Sequence, residues 1–152
     1  MKKLQFKIDI KSSDQNVFET MLGLKNIETY EQWTAEFNPT STYEGQWKKG
    51  AKMYFVGTDD QGNRGGMVSE IADMIPSKFV SIRHYGMLDG NTEITEGEQV
   101  EKWAGGLENY SFHENNGVTT VTVEMDSTEE YVDYFNTAWP KALDKLKSIA
   151  EK

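Results

Sequence analysis

STEEYVDYFNTAWPKALDKLKSIA, residues 127–150, is the stretch that decides the fold. Ser127 and Glu130 stand at capping-box spacing, where hydroxyl and carboxylate satisfy the first orphan N–H groups of a helix. Beyond them Val132, Phe135, Trp139, Leu143, Leu146 and Ile149 recur at helical spacing, with Tyr131, Ala138, Ala142 and Ala150 alongside. They form one broad apolar stripe, opposite a face of Glu129, Asp133, Lys141, Lys145 and Lys147. Acidic residues come first and basic ones last, in keeping with the helix dipole. A helix over residues 127–150 would be about 35 Å long, enough to cross a small domain. Pro140 removes one donor and crowds the carbonyl of Asn136, so a kink is expected there. A stripe this long needs an extended apolar surface opposite it.

The segments upstream supply that surface as strands. Residues 118–125 alternate Val121, Val123 and Met125 with Thr120, Thr122 and Glu124. Asn115-Asn116-Gly117 predicts a tight hairpin back to residues 107–114. Residues 40–47, 52–58, 65–75 and 78–85 read as further strands, joined by short polar turns. Residues 86–99 are polar and acidic and read as a long loop or lid. At the other end of the chain, Leu4, Phe6, Ile8 and Ile10 alternate with polar residues in the clearest strand of all. Ser12 or Ser13 then caps a short helix carrying Val17, Phe18, Met21 and Leu22, which Gly23 can end. A second short helix is expected near residues 26–33, with Ile27, Tyr30 and Trp33 on one face, broken at Phe37-Asn38-Pro39. Six to seven strands in hairpin succession, with helices near the ends, define an α+β class with an antiparallel sheet.

The bulk composition narrows the function. A chain of 152 residues is one domain able to bury a core without cross-links. There is no cysteine, which fits a reducing, cytoplasmic compartment. Met1-Lys2-Lys3 runs into an alternating strand, so no signal peptide is expected, and no apolar run reaches the ~18 residues of a membrane span. The net charge of −9 repels phosphate backbones and disfavours nucleic acid as a partner.

Several short motifs in order carry a resemblance. Glu31-Gln32-Trp33-Thr34, Gly45-Gln46-Trp47-Lys48-Lys49-Gly50, Gly65-Gly66-Met67-Val68, Lys102-Trp103-Ala104-Gly105 and Trp139-Pro140-Lys141-Ala142-Leu143 cover nearly the whole chain. In order and spacing the chain resembles the activator of heat-shock protein 90 ATPase homologue-like family of the START-like (SRPBCC) superfamily. The resemblance implies a helix-grip fold over residues 1–152, with a cavity between sheet and C-terminal helix suited to a small apolar or aromatic molecule. It implies no catalytic set, and fold alone supplies none.

The residues themselves carry little catalytic signal. The two histidines, His84 and His113, lie about thirty positions apart, without metal-ligand spacing. Gly62, Gly65 and Gly66 match no phosphate-cradling pattern, and there is no Gly-x-Ser-x-Gly elbow. No metal or cofactor is expected. His84 shares strand parity with Val80 and Ile82 and should face the core or cavity, either as a ligand-facing group or as a hydrogen-bonded core histidine. Arg83 has the opposite parity, beside Ser81 and Tyr85. Tyr110 with Phe112, and Met53 with Phe55, could line a pocket or fill the core. Tyr131, Phe135 and Trp139 could likewise border a cavity, or Trp139 could simply anchor helix to sheet. Three functions follow. The first is a binding protein for a small hydrophobic or aromatic molecule. The second is an adaptor for a chaperone. The third, with the least support, is an enzyme using His84 with Glu70 or Glu98.

Overall fold

A computed structural model describes residues Met1–Lys152. Eight strands form one curved antiparallel sheet in the order β1-β8-β7-β5-β4-β3-β2, with β6 paired to β5. The first strand, β1 (Lys2–Ile10), lies against the last, β8 (Val118–Ser127), in unbroken register from Lys2↔Ser127 to Ile10↔Thr119. Chain-order hairpins account for nearly everything else. The strands are β2 (Thr42–Glu44), β3 (Lys52–Thr58), β4 (Arg64–Ile75), β5 (Phe79–Asp89), β6 (Thr92–Ile94) and β7 (Gly106–Asn115). Asn116 and Gly117 both take positive φ, 54° and 82°, in the two-residue turn that joins β7 to β8. This geometry matches the strand twist and requires residues that tolerate the left-handed region.

Helix α1 (Asp14–Leu22) starts where the Ser13 hydroxyl accepts from Asn16 N at 3.1 Å and ends at Gly23, φ 68°. Helix α2 (Ile27–Thr34) is capped by Asn26. Tyr30, Trp33 and Thr34 are buried there, but Ile27 is exposed. The short α3 (Glu98–Glu101) follows β6.

The long helix differs from the sequence expectation at its start. Ser127 is still strand, its hydroxyl donating to the Thr128 carbonyl, so the capping box with Glu130 does not form. A 3-10 turn, Glu129–Tyr131, intervenes, and α4 runs Val132–Ala150. At nineteen residues it is about 28 Å long. It is continuous across Pro140, which lies on the exposed side. No helix is long and apolar enough to cross a membrane.

The expected loop over residues 86–99 is also replaced. β5 continues to Asp89 and turns at Gly90 into β6, before α3. A bulge makes this continuation possible: Val68↔Gly86 is followed by Ser69↔His84, leaving Tyr85 as the extra residue. The side-chain alternation reverses there. Before it, Val80, Ile82 and His84 face inward; beyond it, Met87 faces inward while Leu88 joins Val56 and Val68 in a small cluster on the outer face. The main core lies between the inner face and the helices, joining Val17, Phe18 and Met21 to Ile71, Val121, Trp139, Leu143 and Leu146.

Candidate functional site

The inner face of the sheet does not meet the start of α4 completely. The gap is a cavity of about 740 Å³, open at one side. Its walls are Trp33 and Phe37 from the α2 region, Phe55 from β3, and Tyr134, Phe135 and Trp139 from α4. These rings contact one another: Phe37 and Trp139 lie edge-on at 5.0 Å, and Trp33 and Trp139 centroids are 5.7 Å apart. Tyr131, Trp103, Glu98, Lys102 and Glu130 form the outer rim.

The floor is polar. Ser69 Oγ lies 2.6 Å from His84 Nδ1, and His84 Nε2 lies 2.9 Å from Glu108 Oε1. The Tyr110 hydroxyl donates to the other oxygen, Glu108 Oε2. Strand pairing builds this chain: Ser69↔His84 are partners across β4 and β5, and β5 is hydrogen-bonded to β7, which carries Glu108 and Tyr110 two residues apart on one face. Burial favours the neutral acid at Glu108, but the hydrogen bond and charge of His84 and the Tyr110 hydroxyl outweigh it, holding the carboxyl below its ordinary range. Burial, with the Glu108 charge beside it, pushes the Tyr110 phenol well above its ordinary value. An ionised Glu108 can only accept, so the bond between them places a proton on His84 Nε2, while Nδ1 faces the Ser69 hydroxyl.

Of the residues singled out from sequence, Phe55, His84, Tyr110, Tyr131, Phe135 and Trp139 border the cavity. Met53 and Phe112 do not. Met53 is fully enclosed, and Phe112 packs edge-on against Phe18 at 5.2 Å, beneath α1. Two residues along a strand is about 6.6 Å, enough to carry a same-face side chain from cavity to core. Trp139 combines both roles weighed for it. It is 2% exposed, donates from Nε1 to Met125 Sδ at 3.1 Å and stacks on Phe6, yet its ring also borders the cavity. Arg83 lies on the outer face, its guanidinium 4.9 Å from the Tyr85 ring and 3.3 Å from Glu70.

Neither acid paired with His84 on paper is its partner. Glu70 is on the outer face and Glu98 on the rim, while Glu108 makes the bond. Glu108 was findable: it shares parity with Tyr110 and Phe112, an acidic residue in line with two inward aromatics. Ser69, His84 and Glu108 have the residue types of a hydrolytic triad but not its geometry. Ser69 is fully buried beneath the floor and does not border the cavity. No group of three or more histidine, cysteine or acidic side chains is arranged to hold a metal ion.

A second depression, about 680 Å³, lies around Asn38, Asp59, Arg64 and Asp89 at the far end of β3 and β4. Only four of its 15 lining residues are hydrophobic, against 14 of 27 in the cavity. The aromatic cavity is therefore the candidate site.

No protein-family model matches the chain, and no curated protein matches it. Solved structures do. The chain is similar to the Aha1 dimer from Colwellia psychrerythraea, with 20% identity, TM-score 0.70, and 99% and 97% of the two chains covered. It is also similar to a protein from Mesorhizobium loti, with 12% identity, TM-score 0.69, and 97% and 96% covered. CalU16 from Micromonospora echinospora matches at 13% identity and TM-score 0.63, over 97% of this chain and 75% of that one. The fold is the START-like helix grip.

Proposed function

We propose that this chain is a cytoplasmic binding protein for a small hydrophobic or aromatic molecule, held between the sheet and α4. One observation carries the proposal: a cavity of about 740 Å³, walled by six aromatic rings, over a floor whose polar groups are already hydrogen-bonded. Its size falls within the roughly 300–1,000 Å³ of small-molecule sites, and apolar walls with a few convergent polar groups are their usual make-up. The test is native mass spectrometry of the freshly purified protein, together with thermal shift against apolar and aromatic compounds. A ligand of the native state must raise the melting temperature. Silence across the panel, with no co-purifying molecule, overturns the proposal.

The likeness to Aha1 favours a second function, a chaperone-interacting adaptor related to the activator of heat-shock protein 90 ATPase. The net charge of −9 would suit a basic partner surface. Retention by purified, immobilised heat-shock protein 90 tests it, and absence of retention removes it.

A further inference from the structure

The walls and floor of the cavity differ in what hydrogen bonds they still have to offer. The indole N–H groups at the wall and rim are spent on the protein itself. Trp33 donates to the Met21 carbonyl at 2.9 Å, Trp139 to Met125 Sδ at 3.1 Å, and Trp103 to the Gln99 carbonyl at 2.9 Å. The Tyr134 and Thr34 hydroxyls donate to the carbonyls of Phe37 and Tyr30. On the floor, both His84 nitrogens are occupied, and the Tyr110 hydroxyl is engaged as a hydrogen-bond donor to Glu108. Tyr30 and Ser41 border the cavity at its wall, while Gln99 and Lys102 sit on the exposed rim.

Acceptor capacity is what the floor retains. Each carboxylate oxygen has two lone-pair sites and each phenol oxygen can accept as well as donate. Glu108 uses one site on each oxygen, leaving further sites open beside a pocket of aromatic faces. Aromatic faces themselves attract cations and N–H or O–H edges. A carboxylate placed at the same depth would meet the charge of Glu108, with neutral hydroxyls at the wall, Tyr30 and Ser41, but no cationic group on the floor to offset the repulsion.

Resting on the proposal of a small-molecule cavity, we infer that its ligand is an apolar or aromatic molecule bearing a hydrogen-bond donor, an ammonium or hydroxyl group, which inserts donor-first onto Glu108. Carboxylic acids of the same shape are excluded from the floor. The aromatic walls supply affinity by burial, and Glu108 sets orientation and headgroup class.

Four probes sharing one ring system test this: 1-naphthylmethylamine, 1-naphthol, naphthalene and 1-naphthoate, titrated at pH 7 and followed by quenching of tryptophan fluorescence and by calorimetry. The better of the two donor probes should bind at least tenfold more tightly than both naphthalene and naphthoate. In Glu108→Gln the preference of the amine over naphthoate should shrink at least tenfold. Naphthalene or naphthoate within tenfold of the better donor probe overturns donor selection and leaves the apolar cavity standing. No binding by any of the four overturns the cavity itself, and this inference with it. Because the headgroup series is decided on the unmodified protein, poor folding of Glu108→Gln does not spare the inference.

Discussion

Glu108 is addressed from two sides at once, by His84 Nε2 at 2.9 Å and by the Tyr110 hydroxyl, and its titration follows from those contacts. Its carboxyl ionises below the ordinary 4.5 in the folded chain. A depressed folded value means that its contribution to stability is complete above the unfolded value and is lost as pH falls through the folded one. Glu108→Gln should therefore flatten the acid limb of stability below about pH 4.5, and urea melts of both proteins from pH 3 to 7 would show the two curves converging at the acid end. Parallel curves would mean that Glu108 is not the group titrating. Trp139 is the other residue whose loss should be felt. Truncating a ring 2% exposed, stacked on Phe6 and edge-on to Phe37, should cost about 3–5 kcal/mol in denaturant unfolding of Trp139→Ala. At this scale, strand parity made His84 and Tyr110 legible as inward. Parity does not say how far along the strand the core ends and the cavity begins. That distinction separates Phe55 from Met53 and Tyr110 from Phe112, and it depends on where α1 and α4 lie.

At the scale of elements, β1, α1, the Asn116-Gly117 hairpin and the apolar stripe of α4 were all readable from periodicity and caps. The misjudged boundaries have physical causes. Ser127 has a partner in Lys2 across the sheet, and that ladder outweighs a local capping signal. Residues 86–99 hide their strands because β6 is only three residues long, paired to the end of β5, and the bulge at Tyr85 breaks the period-two pattern that would have shown β5 continuing. Gly66 is the tightest point between elements. A Cβ there would lie 2.0 Å from the Phe55 carbonyl oxygen, backbone that cannot yield without parting β3 from β4. Gly66→Ala should accordingly destabilise by more than the ~1 kcal/mol expected of an unstrained glycine replacement and raise amide exchange along β3, as hydrogen exchange would detect. Pro140 acts in the opposite sense. It sits on the exposed side of an unbroken helix and withholds one backbone donor. Pro140→Ala restores that donor, so stability should rise by about 1–3 kcal/mol, read as a higher denaturant midpoint at unchanged slope.

At the scale of the whole molecule, the dominant electrostatic quantity is the excess of acidic over basic groups, 25 against 16. The ion pairs that oppose it are largely solvated: Lys3–Asp126 at 2.8 Å has a lysine 82% exposed, and Lys2–Glu129 is exposed on both sides. Such pairs contribute roughly 0–1 kcal/mol each, whereas self-repulsion of a net −9 acts across the entire chain. Raising ionic strength from 0.01 to 0.15 M shortens the screening length from about 30 to 8 Å. Repulsion between distant charges is screened first, so the melting temperature should rise with salt; a fall would mean that the surface pairs outweigh the net charge. The same field reaches the cavity mouth, where Glu98 and Glu130 stand with Lys102. A cationic amine probe should therefore associate more slowly as salt is added, while a neutral naphthol of the same shape keeps its association rate, and stopped-flow fluorescence distinguishes the two. If both probes respond alike, the field does not steer ligands to the cavity, and any preference for the amine must arise after entry, at Glu108.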